Sequence, residues 1–425
     1  RQSDGSYRLS GQKIFISYGE HDLAENIVHL VLARTPDAPD GVKGISLFIV
    51  PKFVVGEDGS PGPRNDVWCA SLEHKLGIHG SPTAVLLFGS GKGDAGEGAV
   101  GYLIGQENHG LEYMFIMMNA ARYAVGIQAI AVSERALQHA DAYAQERLQG
   151  QAPGVSGGPV PIVRHPDVQR MLGTMRGLTE GARAVAYVAA SLRDKAAHEP
   201  DEAKRAASRA TYEYFVPIVK GFSTESSVEV ASLGIQVHGG MGYIEETGAA
   251  QYYRDARILP IYEGTTAIQA NDFIGRKLVR DGGAVARDQI AGMQQTAQTL
   301  REAQGRHAAG LALVGRHLES AAQSYGLAVD FVLAQVRDDA RAVFHGSEPC
   351  LMLAGLAHAG WQLGRSALAA ARQIESGSND VFYTQKIATA VAYAADVLPR
   401  TGALTASIQD GGLVDRYADH QWTES

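Results

Sequence analysis

Cysteine is scarce. Only Cys69 and Cys350 stand in 425 residues, too few for a disulfide framework and suited to a reducing compartment, so a cytoplasmic location is expected. Basic charge is also short: 38 Lys and Arg against 46 Asp and Glu leave a net charge of −8, which disfavours a general nucleic-acid or membrane-surface role. No uninterrupted apolar run reaches the ~18 residues that mark a membrane span, and no charged-then-apolar leader opens the chain. Neither a membrane span nor a signal peptide is therefore expected. Of the 14 histidines, His21, His29, His74 and His79 lack ligand-like spacing to cysteines or paired carboxylates, and no metal site is expected. Internal repeats and a Gly-x-Ser-x-Gly nucleophile pattern are absent too.

What is present is ordinary globular material, 45% hydrophobic and 20% charged, enough for two or three domains at ~100–200 residues each. The pattern predicts an α+β chain, mostly α: a β-barrel or sandwich domain, then a four-helix bundle, then an extra all-helical C-terminal domain. Residues 1–104 read as β, incomplete at the start because "RQSDGSYRLSGQ" opens inside a strand-like pattern without Met. "YRLSGQKIFIS", "NIVHLVLAR", "GISLFIV" and "TAVLLF" are short β-rich runs punctuated by Gly, Pro and Asp. Residues 105–283 read as the bundle. "LEYMFIMMNAARYAVGIQAIAVSERALQHADAYAQERL" carries apolar residues at three- and four-residue spacing without proline. After the loop "QGQAPGVSGGPVPIV", a second helix should start at His165-Pro166-Asp167, a third should span about 202–234, and a fourth should run from near Thr265 to about Arg280. Residues 284–425, rich in Ala and Leu, read as the further helical unit.

"GKGDAG", Gly91 to Gly96, formally fits Gly-x-Gly-x-x-Gly after a strand. That fingerprint needs a helix next, whose N-terminus meets the pyrophosphate. "EGAVGYLIG" follows instead and reads as a strand, so a surface hairpin is the better reading.

Chemistry collects in "LGIQVHGGMGYIEETGAAQYYRDARILPIYEGTTAIQ". A lone carboxylate, Glu263, sits between the apolar run Ile258–Tyr262 and Gly264-Thr265-Thr266. Buried there, it would be costly if charged, and such a cost points either to a solvated loop or to a base of perturbed affinity. Gly239, Gly240 and Gly242 leave amides free of side-chain shielding, with His238 and Gln236 as further polar contacts for a phosphate. A helix C-cap followed by a tight turn explains the same glycines equally well.

These two segments, "QVHGGMGY" and "RDARILPIYEGTTAIQ", resemble the flavin-and-base region of the acyl-CoA dehydrogenase family. "DGSYRLSGQKIFIS", "LGIHGSPTAVLLF" and "NHGLEYMFIMMNAARYAVGIQAIAVSERAL" resemble its β-domain strands and first bundle helix, so the likeness covers about residues 4–282. The "HPDVQRML" run and the extra helical unit resemble a larger subfamily. The resemblance implies that the family's N-terminal helical domain is missing from this chain. It implies FAD as cofactor, an acyl-CoA substrate, an electron-transferring flavoprotein as acceptor, a homodimer, no nucleic acid, and a place in fatty acid β-oxidation. It implies that Glu263 removes the α-proton, from a dry pocket that raises its proton affinity. Phe15, Ser17, Arg147, Gln236, Gly239, Gly240 and Thr265 are implied as cofactor contacts. Arg122, Tyr262 and Gly264 are implied on the substrate side.

Alternatives remain for some of these residues. Thr265 suits a helix N-cap, Arg147 a solvated helix end, and Arg122 an interhelical ion pair. Two positions depart from the family: Asn119 stands where Asp is usual and Ala267 where Gln is frequent. The family also contains acyl-CoA oxidases, which use oxygen as acceptor, and a DNA-associated non-catalytic flavoprotein. Against the latter, residues 286–425 hold 11 Lys and Arg against 14 Asp and Glu, which is not a nucleic-acid footprint.

Overall fold

The computed structural model describes residues 1–422. Contacts group the chain into two compact units, residues 1–120 and 121–425.

The first unit carries β1 (Tyr7–Leu9), β2 (Gly11–Ser17), β3 (Val28–Ala33), β4 (Ser46–Pro51), β5 (Phe53–Val55), β6 (Pro61–Arg64), β7 (Val67–Leu72), β8 (Thr83–Phe88) and β9 (Ala99–Ile104). Every strand pairing is antiparallel. One sheet has the order β1-β9-β4-β3, a second β2-β8-β7, and β5 pairs with β6 alone. Tyr7, Phe48 and Val50 from the first sheet share a core with Val67, Leu86 and Phe88 from the second, the arrangement of a sandwich. In β2 the register shifts between Lys13 and Ile16. That bulge puts Phe15 at φ 59° and leaves its ring 67% exposed.

The Gly91–Gly96 segment connects β8 to β9, but those strands belong to different sheets, so the expected hairpin is instead a loop that carries the chain from one sheet to the other. Four of its backbone amides are already engaged. Those of Gly91 and Lys92 donate to the Asp66 carboxylate at 2.8 and 3.2 Å; those of Asp94 and Ala95 donate to the Arg64 carbonyl. Burial works against the Asp66 charge, but the amides around it outweigh that and hold its carboxyl below the usual range.

Helix α1 (Gly110–Glu146) begins in the first unit and continues into the second, where α2 (Pro166–His198), α3 (Glu202–His238), α4 (Gly240–Tyr243), α5 (Ala249–Ala256) and α6 (Thr266–Asp272) follow. A π-helical stretch, Phe273–Val279, continues α6, so the single α-helix expected to about residue 280 is two helical forms. Then come α7 (Ala284–Glu302), α8 (Ala308–Gln335), α9 (Ala340–His345), α10 (Ser347–Glu375), α11 (Val381–Asp396) and α12 (Arg400–Trp422). Local signals explain the starts. Pro166 and Asp167 occupy the first turn of α2, and Asp201 caps α3 by accepting from the Lys204 amide at 3.1 Å.

Helices on both sides of residue 284 share one core. Glycines let them approach. A Cβ on Gly221 of α3 would come within 2.5 Å of Leu351, and one on Gly355 of α10 within 2.4 Å of Phe222, so α3 and α10 interlock at small residues. Arg400 binds Glu229 with two 2.9 Å contacts and Lys386 binds Glu180 at 2.7 Å, tying the C-terminal helices to α3 and α2.

One point differs from the sequence reading. By length and composition α1 is apolar enough to cross a membrane, with a window of mean hydropathy 1.4; interspersed polar residues hid this from a search for unbroken runs. Its Val125, Ala129, Ile130, Leu137 and Ala140 are core residues of the second unit.

Candidate active site

The apolar run after α5 folds into a tight turn. Ile261 and Tyr262 amides both reach the Ile258 carbonyl, at 2.9 and 3.1 Å, and the Thr266 amide reaches that of Pro260 at 3.0 Å. Leu259, 3% exposed, packs on Val125 and Ala129 of α1. The Tyr262 hydroxyl donates to Gln128 Oε1 at 2.5 Å. Burial, reinforced by the neighbouring Glu263 charge, pushes the Tyr262 phenol up.

The chain then takes two left-handed residues in succession, Glu263 at φ 54° and Gly264 at φ 90°. For a residue with a Cβ this costs on the order of 1–2 kcal/mol, and such strain persists only where surroundings impose it. Here two side chains do so. Lys220 of α3 donates through Nζ to the Gly264 carbonyl at 2.7 Å. Gln269 of α6 sends Nε2 toward the Glu263 and Gly264 carbonyls at 3.5 and 3.4 Å. Glycine suits position 264 because φ 90° strains any residue with a Cβ, which would also crowd Gln269 Nε2 at 2.8 Å. Thr265 caps α6, accepting from the Ile268 amide at 3.4 Å, and Thr266 donates to Glu225 Oε1 at 2.5 Å.

Glu263 is exposed, which corrects the expectation that its carboxyl sits dry. The physical reason is the side of the turn it occupies: Leu259 and Pro260 fill the inner side, so Ile261, 46% exposed, and Glu263 face outward.

Other predicted residues are placed as follows. Gln236, Gly239 and Gly240 lie together, exposed, where α3 ends. An added Cβ on either glycine would meet nothing within 4 Å. Gly239 has φ 60° and its amide is taken by the Gln236 carbonyl, so it serves as the C-cap. Gly242 is needed for packing, because a Cβ would sit 2.4 Å from the Ile235 carbonyl. His238 is no surface contact: it is 4% exposed, stacks on Tyr143 at 4.5 Å and bonds the Gly234 carbonyl through Nδ1 at 2.7 Å. Its ring turns inward because position 238 lies on the buried face of α3, opposite Gln236.

Arg122 is 7% exposed, and its Nη1 lies 3.4 Å from Asp272 Oδ2. The geometry found is therefore the interhelical ion pair, not a side chain presented to substrate. Arg147 is exposed at the end of α1, its carbonyl accepting from Ile162. In the first unit, Phe15 and Ser17 are both exposed on β2, so Phe15 is not a core residue. No group of three or more His, Cys, Asp or Glu suited to a metal occurs among the described residues.

Sequence reasoning missed Lys220, Gln269 and Glu225. A signal for the first existed: Lys220 is the one charged residue in the apolar run "YFVPIVKGF", in a helix stretch buried throughout. Burial drives its pKa down to about 8; Glu225 and Glu263 favour the cation and Arg122 opposes it.

Comparison with known proteins places the chain in a family. Residues 108–278 match the model of the acyl-CoA dehydrogenase C-terminal domain, and residues 289–414 that of the acetyl-CoA dehydrogenase C-terminal-like domain. A 3-methylmercaptopropionyl-CoA dehydrogenase of Ruegeria pomeroyi is 52% identical over 97% of this chain and 68% of its own length. A broad-specificity linear acyl-CoA dehydrogenase of Mycobacterium tuberculosis is 37% identical over 94% of this chain and 66% of its own. The fold matches the crystal structure of an acyl-CoA dehydrogenase complexed with FAD from Bacillus anthracis, at TM-score 0.68 and 22% identity, over 96% of this chain and 64% of that one. The chain thus spans about two thirds of the length of these relatives. It belongs to the acyl-CoA dehydrogenase family.

Proposed function

We propose that this chain forms part of an FAD-dependent acyl-CoA dehydrogenase that oxidises the Cα–Cβ bond of an acyl-CoA to a trans-2-enoyl-CoA. The observation that carries this reading is Glu263: an exposed carboxylate on a left-handed turn, held from beneath by Lys220 and Gln269. Backbone strain at a carboxylate that makes no side-chain hydrogen bond or ion pair among the described residues suits a base kept in position for a substrate. The residues fit the cofactor. In the second unit, Gly239 and Gly240 leave open space where a Cβ would stand, Gln236 beside them is exposed, and Thr265 is exposed on the turn that bears Glu263; in the first unit, taken by itself, Phe15 and Ser17 present an exposed ring and hydroxyl. FAD, when bound, supplies the acceptor for the β-hydride. Glu263 takes the α-proton, and its own backbone N–H polarises the thioester carbonyl, where negative charge develops. The electrons leave to an external acceptor, an electron-transferring flavoprotein. A homodimer, a cytoplasmic location and a role in fatty acid β-oxidation complete the proposal.

Anaerobic titration of the flavin-loaded protein with a panel of acyl-CoAs tests it. Bleaching of the flavin absorbance by at least one thioester, lost in Glu263→Gln, is expected. A flavin that no acyl-CoA reduces would overturn the reading; rapid reoxidation by air would replace the flavoprotein acceptor with oxygen.

A further inference from the structure

We propose that Lys220 is a positioning residue for Glu263: from the middle of α3 its ammonium grips the Gly264 carbonyl and so fixes the left-handed turn that presents the carboxylate. The inference rests on the reading of Glu263 as the base. Lys220 is fully buried (0% exposed) and its hydrogen bond runs to Gly264 O at 2.7 Å. A buried ammonium is costly and is rarely kept for packing alone. A hydrogen bond from a charged donor is about twice as strong as a neutral one, and this one acts on the residue next to the strained Glu263.

The surroundings are consistent with this role. Gln269, 0% exposed, approaches the same pair of carbonyls from α6, with its Oε1 unpartnered among the described residues. The charged groups around Lys220 are Glu225 on its own helix, Glu263 on the turn and Arg122 on α1. Beyond them stand Asp272, paired with Arg122, and Glu348 on α10, whose carboxyl is pushed up by burial and by Glu225. The turn is thus clamped at consecutive carbonyls by one cation and one amide. Loosening the cation lets Glu263 relax toward an ordinary backbone conformation and swing away from the α-carbon. A displacement of about 1 Å at a reacting group costs on the order of 100-fold in rate.

Because burial brings the Lys220 pKa to about 8, the ammonium loses its proton as pH rises through that value and the grip weakens. The test is stopped-flow anaerobic flavin reduction by an acyl-CoA, from pH 6.5 to 9.5, in the wild type, Lys220→Met, Lys220→Arg and Glu263→Gln. Lys220→Met should reduce flavin about 10- to 100-fold more slowly with thioester affinity and flavin content unchanged. The wild-type rate should fall above pH 8. Lys220→Arg, which keeps its proton, should recover much of the rate and lose the fall. A Lys220→Met protein that reduces flavin at the wild-type rate while Glu263→Gln does not overturns the proposal and spares the base. Equal loss of rate, affinity and flavin in Lys220→Met marks a merely structural lysine and overturns it as well. A fully active Glu263→Gln overturns the base reading itself, and this inference with it.

Discussion

Two buried polar clusters hang from the same helix and differ in kind. Around Lys220 gather Glu225, Thr266 and Gln269, with Arg122 and Asp272 nearby. Around Tyr214, on the same helix, the hydroxyl meets Tyr325 at 2.5 Å and His358 Nε2 at 3.0 Å. Both phenols are pushed well up by burial, and His358 is pushed down to about 3, so this cluster is neutral at ordinary pH. The rings of Phe215, Phe273 and Trp361 surround it. The first cluster is charged and ends on a strained turn bearing an exposed acid; the second is neutral and ends on aromatic walls. Buried polarity by itself therefore does not mark a site. Charge retained under cover, joined to backbone strain at the surface, is the better mark.

The comparison can be broken or sharpened by measurement. The largest effect is expected at the strained turn: Glu263→Gln should slow flavin reduction by about 10²- to 10⁴-fold, the range for a general base, and a loss under threefold would remove the distinction between the clusters. Next comes the ion pair at the flank of the first cluster. Asp272 faces both Arg122 and the more exposed Arg276, so Asp272→Asn, which takes the acid from both, should cost about 3–5 kcal/mol in denaturant unfolding, and Arg122→Met, which leaves Asp272 its second arginine, should cost less. If only Arg122→Met raises the KM for acyl-CoA while stability holds, the arginine belongs to substrate after all.

The neutral cluster should announce itself through acid. His358 binds its proton at about 6.5 when unfolded and about 3 when folded. Between those values the unfolded chain holds the extra proton, so stability rises with pH and is lost on acidification, by about 1.4 kcal/mol per pH unit. Glutamine at 358 should flatten that slope, and an unchanged slope would show that the imidazole titrates normally. The smallest effect is at Tyr325→Phe, about 1 kcal/mol of stability for one buried hydroxyl, with the flavin-reduction rate untouched; a slowed rate would join the two clusters functionally.

Much of this was legible in the sequence and some was not. Long helices announced themselves by apolar spacing and by start signals such as Pro166-Asp167, and the edges of α1, α2 and α3 fall within a few residues of expectation. Strand β6, Pro-Gly-Pro-Arg, carries no strand signal, because its pairing with β5 is imposed by the turn between them. The short helix α5 hid among glycines and glutamates. At the site, Gly264 and Thr265 were readable from type and order alone. Whether Glu263 is dry was not, because exposure follows from which side of the turn Leu259 and Pro260 fill. Lys220 escaped notice because its partner is a backbone carbonyl far along the chain, and no local pattern encodes that bond. The boundary drawn at residue 284 from a change of composition falls between the two family-model matches, 108–278 and 289–414, while α3 and α10 pack into each other across it.

That interlock has a consequence for chains cut short. Gly221 follows Lys220 directly, and Leu351 presses on it from α10. A product ending before residue 347 would uncover the Gly221 flank beside the ammonium and ease the burial that lowers its pKa. The same helices complete the core that α3 packs into, so segments far along the chain set both the footing of the turn and the acidity range in which its carboxylate is held.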